Sequence, residues 1–355
     1  MRPEPSPAAR LAWVDVAKGI CIILVVLMHA TLGVEKATGE ALSLNAFVEW
    51  ARPFRMPDFF LISGLFLAAR IDRPWRSYLD TKVVHFAYFY VLWLTIQFAL
   101  KAPGMINDHG AAATLEDYVT SFFVPFGTLW FIYLLAVFFV VSKLLRPLPH
   151  WLVLGGAALL HMAPHSGVFI VDEFTSRFVF FYSGYALAPV VFAFADRVRI
   201  VPTLLVVAGL AVWAVLNTAG VATGLAFATG ADLVFSYVGI AAVIACSVLA
   251  TTSWPGRVLA YCGENSIAVY LAFTVFMGPA RIVLLKITGG DHATAIALAS
   301  TFAGIAGALA MAWAVKGTWA GFLFTRPARF RLASPRGDGA GAPLSAPVRG
   351  AAAGG

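Results

Sequence analysis

The sequence predicts an all-α polytopic membrane protein, a bundle of about ten transmembrane helices. Of its 355 residues, 60% are hydrophobic and only 12% are charged, whereas soluble domains carry about 25% charged residues. Apolar runs of about 20 residues, long enough to cross the hydrocarbon core as a helix, recur along most of the chain. Lysine and arginine gather between alternate runs, as they do in multi-pass membrane proteins. A soluble enzyme with a single anchor would not have this composition.

Ten apolar spans are found with a window of about 20 residues, and the second and fifth are short or interrupted. They lie at residues 13–33, 54–70, 82–101, 127–145, 150–164, 174–194, 201–219, 231–251, 259–280 and 294–324. We therefore expect a cytoplasmic N-terminal segment at 1–12, a transmembrane domain at 13–324 and a disordered cytoplasmic tail at 325–355. The tail is rich in Gly, Ala, Pro and Ser, which bury too little apolar surface to order it.

The basic residues predict the orientation. Most of them precede the first span, follow the last or occupy alternate connections: Arg2, Arg10, Arg70, Arg73, Arg76, Lys82, Lys143, Arg146, Arg197, Arg199, Arg257, Arg326, Arg329, Arg331 and Arg336. By the positive-inside rule both termini are cytoplasmic, which agrees with an even number of spans. Exceptions fall on the opposite side: Lys36, Arg52, Arg55, Lys101, Arg281 and Lys286.

Several classes of function are disfavoured by the same pattern. A net charge of +7 would suggest nucleic acid as a partner in a soluble protein, but here the basic residues cluster at the ends of apolar runs, where membrane lipid is the expected partner. The cysteines have no metal-ligand spacing, and we interpret Cys21, Cys246 and Cys262 as small apolar packing residues. The pair His161 and His165 has no nearby carboxylate or cysteine, so no metal site is predicted.

The first span carries three ionisable residues, Asp15, Lys18 and His29. Each such residue inside a membrane helix costs about 2.5–3.5 kcal/mol on insertion scales, so three of them need an explanation. At about 100° per residue, the steps from Lys18 to His29 return to within about 20° of the same direction, about 16 Å further along the axis. His29 is a candidate general base or a packing histidine. Asp15 and Lys18 have two possible roles. Either they belong to a functional polar face, or they form an ion pair near the interface, with the Lys18 side chain snorkelling to the lipid head groups.

A second group of candidates lies in the stretch RPFRMPDFFLISG. It contributes Arg55, Asp58 and Ser63 at the mouth of a short aromatic span. The alternative is that the arginine is an interfacial anchor and the Ser-Gly step a close helix contact. Lys82 and His85, one turn apart at the start of the third span, either hold the phosphates of a cytoplasmic donor or only follow the positive-inside rule.

The remaining candidates have structural alternatives as well. Trp130 is either a binding residue or a member of an aromatic belt. Arg177 lies four residues after Glu173, which favours a local ion pair. Asn265 and Ser266 are typical of a helix N-terminus.

Four stretches, taken in order, carry a resemblance to a known family. They are DVAKGICIILVVLMH, FRMPDFFLISGLF, GTLWFIYLL and GENSIAVYL, and together they cover residues 13 to about 280. In these motifs the chain resembles the integral-membrane acyltransferases of type three, which O-acylate sugars and glycans in bacteria. The resemblance implies a ten-span bundle in the bacterial inner membrane, with acetyl-CoA or another acyl-CoA as a cytoplasmic donor substrate and a carbohydrate hydroxyl as the acceptor. It implies no permanently bound cofactor.

The same resemblance implies roles for residues of this chain. His29 would be the catalytic base, with Asp15 and Lys18 holding the polar face or the pantetheine path. Arg55 and Asp58 would line the acceptor mouth, while Lys82 and His85 would lie near the donor phosphates. The other expected binding residues are Ser63, Trp130, Arg177, Asn265 and Ser266.

The chain also departs from the family pattern. Lys18 and Lys82 stand where arginine is more usual, which keeps the charge but loses the bidentate fork. Ala272 and Phe273 stand where many members carry a histidine. A different class of function, a permease with an intramembrane polar pathway, would also explain buried charges, although no paired broken helices in corresponding halves support it.

Overall fold

The computed structural model describes the backbone of residues 7–332 and the side chains of residues 11–332. Within these residues it contains fourteen α-helices and no β-strand, which confirms the all-α prediction. The helices are α1 Pro7–Thr38, α2 Leu44–Gly64, α3 Trp75–Leu79, α4 His85–His109, α5 Ala111–Thr120, α6 Trp130–Leu144, α7 His150–His161, α8 Phe169–Ala186, α9 Ala188–Ile200, α10 Thr203–Ala222, α11 Ala231–Ala250, α12 Trp254–Glu264, α13 Ser266–Thr288 and α14 Ala293–Val315.

Seven helical segments in the described part of the chain are long and apolar enough to cross a membrane, and there are eight if the bent pair α8 and α9 forms one span. The prediction of about ten is therefore approximate. The difference comes from two predicted spans. Helix α2 contains four charged residues, Glu49, Arg52, Arg55 and Asp58, and α7 has only 12 residues. A helix of about 20 apolar residues is needed to span the hydrocarbon core.

Three predicted spans have different boundaries in the structure. The span expected at 54–70 is the second half of α2, which begins at Leu44 and continues through two internal prolines. The span expected at 174–194 is bent by 74° between α8 and α9, where Pro189 lies in the first turn of α9. The span expected at 259–280 contains the end of α12 and the start of α13. A hydropathy window averages over such breaks, so it cannot place them.

Glycines bring α1 and α12 into close contact. A Cβ built on Gly263 of α12 would lie 1.7 Å from the Asp15 carbonyl oxygen of α1, and one on Gly19 would lie 2.0 Å from the Leu259 carbonyl oxygen. Gly64 of α2 and Gly184 of α8 form a similar crossing. Small residues allow helix backbones to approach this closely in membrane proteins. The Gly263 contact holds the start of α13 against the first polar residues of α1.

The chain after α14 packs against the start of α4. Arg326 donates to both carboxylate oxygens of Asp80 at 3.0 and 2.9 Å, and both side chains are buried. The Leu332 amide donates to the same carboxylate at 2.7 Å. Asp80 begins a π-helical turn, Asp80–Val84, that carries Lys82. Residues 325–332 of the predicted disordered tail thus have defined contacts, because they complete a buried ion pair.

Parts of the predicted termini lie outside the described residues. This holds for residues 333–355 of the tail and for residues 1–6 of the predicted N-terminal segment, whereas Pro7 already begins α1. Below, the Lys18 end of the bundle is the one where α1 begins, and the His29 end is the one where α1 ends.

Candidate active site

A cavity of about 450 Å³ lies at the Lys18 end of the bundle. Its polar lining comes from α1, α2, the π-helical turn and the junction of α12 with α13: Asp15, Lys18, Ser63, Lys82, Glu264 and Ser266. Aromatic rings form much of the remaining wall: Phe59, Phe66, Phe86, Phe131, Phe139 and Tyr270. Residues from all four sequence stretches that carry the family resemblance therefore meet around one space. An apolar pocket with a few convergent polar groups is the usual form of a small-molecule site.

Asp15 and Lys18 form an ion pair on the wall of this cavity. The Lys18 Nζ lies 3.1 Å from Asp15 Oδ1, and each side chain is a little over a quarter exposed. This is the i, i+3 pair that the sequence offered as the structural alternative, and both residues also face the cavity. Because a lysine ammonium has three donors, the pair leaves Lys18 able to bind a second acceptor.

Lys82 enters the cavity, but His85 does not line it. The Lys82 ammonium lies 4.4 Å from the centroid of the Phe139 ring, a cation–π contact on the cavity wall. The His85 ring packs edge-on against Phe86 and Phe89, at centroid distances of 5.4 and 5.0 Å. The structure therefore gives Lys82, and not His85, access to a ligand in this cavity.

His29 lies further along α1 and is not part of the cavity lining. Its ring centroid is 5.5 Å from that of Phe273, at an interplanar angle of 34°. Phe273 is one of the two residues that stand where many members of the resembled family carry a histidine. The structure thus places that position beside His29, and an aromatic ring packs there without offering a hydrogen-bond partner.

Arg55 is held next to His29 by α1 and α2. It is buried, and it donates through Nη2 to Met28 Sδ at 2.8 Å and through Nη1 to the Val48 carbonyl oxygen at 3.2 Å. Its Nε is also buried and has no hydrogen-bond partner. Met28 directly precedes His29, so the guanidinium is held at the same level of α1 as the imidazole. The positive charges of Arg55 and Lys101 are near enough to act on the His29 ring.

Asp58 is wholly buried between α1 and α2. The Cys21 thiol donates to Asp58 Oδ2 at 2.8 Å, while Asp58 Oδ1 has no partner. Cys21 packs in the apolar core as expected, and its thiol is in addition a hydrogen-bond donor to a buried carboxyl group. Sequence reasoning missed this contact, since the two residues are 37 positions apart. Asp58 does not line the cavity.

The other predicted site residues are dispersed. Ser63 and Ser266 line the cavity. Arg177 forms the expected ion pair with Glu173, at 3.2 Å, and Asn265 donates to the Tyr261 carbonyl oxygen at the end of α12. Trp130 packs among aromatic rings, with Phe60 at 6.0 Å. Trp130, Arg177 and Asn265 are not part of the cavity lining.

Two further cations lie near the His29 end of α1, and the sequence had marked them only as exceptions to the charge rule. Lys101 lies on α4, and its ammonium is 4.7 Å from the centroid of the Phe126 ring. Arg281 lies on α13, and its Nη1 occupies the space that a Cβ of Gly33 would take. Their position on the side of the membrane that is otherwise poor in basic residues was the only sequence signal for them.

Metal ligation finds no support in the part of the chain that the structure describes. No group of three or more His, Cys, Asp or Glu side chains there is arranged to hold a metal ion. The chemistry available at the two ends of α1 is that of an imidazole, cationic side chains, carboxyl groups and hydroxyl groups.

Comparison with known proteins gives a family model and several partial relatives. The model, described as an acyltransferase domain, matches residues 11–316. The chain is 31% identical over 155 residues to an inner membrane protein, YcfT, of Escherichia coli strain K12, covering 37% of this chain and 43% of that protein. It is 26% identical over 178 residues to the nodulation protein NolL of Sinorhizobium fredii, covering 49% of this chain and 48% of that protein.

A second NolL, from Mesorhizobium japonicum, is 26% identical over 154 residues, covering 42% of this chain and 40% of that protein. The chain thus matches less than half the length of each of these three relatives. No solved structure matches the chain.

Proposed function

This chain belongs to the acyltransferase 3 family, and on that premise we propose that it is a membrane O-acyltransferase. It moves an acetyl or other small acyl group from acyl-CoA to a hydroxyl of a sugar, glycan or related acceptor. The donor enters from the cytoplasm at the Lys18 end, and the acceptor meets it near His29. The family match favours this enzyme over the permease with the same buried charges, because the match describes acyl transfer and not solute passage.

The observation that carries the proposal is the position of Lys18 and His29 on one helix. Lys18 lines the cavity, and His29 lies about 16 Å further along α1 beside Arg55. The aromatic cavity wall suits the apolar part of a pantetheine arm, while Lys18 and Lys82 supply positive charge for the donor. This arrangement supports a donor that reaches from one side of the bundle toward a base on the other.

The reaction needs one base and one leaving group. A neutral imidazole nitrogen of His29 accepts the proton of the acceptor hydroxyl as its oxygen attacks the thioester carbonyl carbon. The carbon–sulfur bond then breaks, the new ester bond remains on the acceptor, and coenzyme A leaves as a thiolate. The proton held by His29 returns to the thiolate or to water. Among the described residues no hydrogen bond occupies His29, which leaves its ring free for this transfer.

Replacing His29 with glutamine tests the assignment of the base. We expect His29→Gln to lower acyl transfer at least about 100-fold, since a general base contributes about 10²–10⁴-fold. Transfer is measured with the purified chain in lipid nanodiscs, radiolabelled acetyl-CoA and a glycan extract of the source organism's envelope. His165→Gln is the matched control, because His165 is exposed in the loop after α7, and it should retain wild-type transfer.

The measurement also includes the amount and the thermal unfolding of each variant. Retained transfer in His29→Gln would refute His29 as the base. An equal loss in both histidine variants, with normal folding, would refute it as well.

A further inference from the structure

We propose that the acceptor is an anionic glycan, whose carboxylate or phosphate is bound by Arg55, Lys101 and Arg281 beside His29. This inference rests on the proposed acyl transfer and adds the chemical class of the acceptor. It begins from an anomaly: three cations that break the positive-inside pattern come from three different helices, α2, α4 and α13. Arg55 contacts Met28, Arg281 lies against Gly33, and the charge of Lys101 reaches His29, so all three act on the last turns of α1.

Arg55 is the most deeply buried of the three. Only 6% of the residue is exposed, and Met28 and Val48 hold two of its nitrogens. The third nitrogen, Nε, is buried without a partner. A thioether sulfur is a weak acceptor, so these contacts leave the guanidinium charge without an anion. Such a group is costly to bury unless a negative charge is available to it.

Lys101 approaches from α4. One turn earlier on the same face, Gln97 donates to the Leu271 carbonyl oxygen of α13 at 3.0 Å, so this face of α4 points toward α13. Leu271 is two residues before Phe273, whose ring packs on His29. The Lys101 ammonium has an aromatic ring beside it, that of Phe126, and its charge acts on His29.

Arg281 closes the group from the outer part of α13. Its Nη1 lies against Gly33, where a Cβ would be only 1.8 Å away. Gly33 follows His29 by one turn on α1, so the guanidinium lies over the same face of that helix as the imidazole. A residue larger than glycine would displace the arginine from this position.

No carboxylate of the described structure makes an ion-pair contact with these three cations, although the charge of Glu49 reaches Arg55. Asp58 bonds to Cys21, and Glu49 forms its ion pair with Arg52 at 3.0 Å. Glu173 is paired with Arg177. None of the ion pairs among residues 11–332 includes Arg55, Lys101 or Arg281. An anionic ligand would supply the missing charge.

The position of the group favours the acceptor as the source of that charge. The cavity proposed for the donor lies at the other end of α1, where Lys18 and Lys82 provide cations. A lipid headgroup has the same phosphate chemistry, but Arg55 is enclosed by α1 and α2 and is too buried to reach the membrane surface. The cations therefore lie where a hydroxyl acceptor must approach His29.

The test separates the natural glycans by charge. An envelope extract of the source organism is divided by anion exchange into an anionic and a neutral pool, and each is incubated with radiolabelled acetyl-CoA and the full chain in phosphatidylcholine nanodiscs. We expect at least about tenfold more label in the anionic pool than in the neutral pool. The label in the anionic pool should fall as the salt concentration is raised, because salt screens the cations. Lys101→Gln and Arg281→Gln should each lower that label about tenfold, as loss of one charge-assisted contact would, without changing the KM for acetyl-CoA.

Lys286→Gln is the matched control. Lys286 lies on the same helix as Arg281 and is exposed. Five residues separate the two, which places their side chains about 140° apart around the helix, so the Lys286 variant should label the anionic pool like the wild type. Label mainly in the neutral pool would overturn the proposal, as would an anionic label that Lys101→Gln and Arg281→Gln leave unchanged. Equal losses in all three variants would overturn it too, because they would indicate nonspecific surface attraction.

Two further readouts keep the inference separate from the proposed function. Labelling that depends on His29 but enters neutral glycans supports acyl transfer and refutes the anionic acceptor. If neither pool is labelled, binding is measured instead, as retention of the nanodiscs on immobilised anionic glycan. Retention of the wild type that is lost in Lys101→Gln supports the site. Equal retention of the wild type and Lys101→Gln refutes it. A variant effect that occurs only in phosphatidylglycerol nanodiscs assigns the cations to lipid headgroups and overturns the proposal.

Discussion

Lys18 illustrates how one residue can satisfy both a structural and a functional interpretation. It is paired with Asp15 at 3.1 Å, as a membrane anchor could be, and it also lines the cavity proposed for the donor. Lysine provides a point charge where the resembled family more often has the planar fork of arginine. Its remaining donors can therefore bind a phosphate or carbonyl oxygen of the donor without the geometric constraint of a bidentate contact.

We predict that Lys18→Met raises the KM for acyl-CoA about tenfold, because a hydrogen bond to a charged group contributes about 1.5–3 kcal/mol. Lys18→Arg should keep the KM near the wild-type value. Initial rates at varied acyl-CoA and fixed acceptor measure both. Lys36→Met is the control, since Lys36 lies in the last turn of the same helix. If the Lys18 and Lys36 variants had the same KM, Lys18 would be only a membrane anchor.

The contact between α1 and α12 sets the shape of the cavity at the level of elements. Gly263 brings the end of α12 against the Asp15 carbonyl oxygen and the Gly19 amide. The next residues, Glu264 and Ser266, enter the cavity lining. In the stretch GENSIAVYL, Gly263 and Ser266 therefore shape the cavity. Asn265 does not, because its side chain bonds to the Tyr261 carbonyl oxygen of α12.

We predict that Gly263→Ala destabilises the chain by about 1–3 kcal/mol, the usual cost of overpacking. The added Cβ would lie 1.7 Å from the backbone of α1, so α12 must move and carry Ser266 with it. Thermal unfolding in detergent and the KM for acyl-CoA should both change. Gly209→Ala on α10 is the control, because nothing lies within 4 Å of the added Cβ. An unchanged melting temperature in Gly263→Ala would contradict the tight crossing.

At the scale of the whole molecule, the two ends of the bundle differ in charge and in chemistry. The Lys18 end carries the cavity and the ion pair between Asp80 and Arg326, which joins the end of the described chain to the start of α4. The His29 end carries the group of cations that lack carboxylate partners. If the Lys18 end faces the cytoplasm, a cytoplasmic donor and an external acceptor each have a site on the correct side.

We predict that His165→Cys is labelled by a membrane-impermeant maleimide in intact cells, whereas Pro147→Cys is labelled only after permeabilisation. Both positions are exposed and flank α7, which is short but runs along α8: His150 at its start bonds to Tyr182, and His161 at its end bonds to Ser176. The wild-type chain is the blank, since Cys21 and Cys262 are buried and Cys246 is half-buried. The reverse labelling pattern would invert the bundle and place the acceptor residues in the cytoplasm.

Prediction from sequence succeeded where the signal was local. The apolar runs identify most of the helices, because about 20 consecutive apolar residues have few alternatives to a membrane helix. The i, i+3 pair of Asp15 and Lys18 and the i, i+4 pair of Glu173 and Arg177 also follow from helix geometry alone. The helix N-terminus expected at Asn265 and Ser266 is confirmed, since α13 begins at Ser266, but the span predicted at 259–280 ran across this break because a hydropathy window averages over it.

By itself, the sequence determined the all-α membrane class, the polar face of the first helix and the resemblance to acyltransferases, since all three depend on composition, periodicity and motif order. Only the tertiary structure decided which residues meet. It joined Lys18, Lys82 and Ser266 around one cavity, separated His85 from it, paired Cys21 with Asp58 and brought Lys101 and Arg281 toward His29. The physical reason is that these contacts depend on how helices far apart in sequence cross, and helix crossing is set by side-chain packing between them.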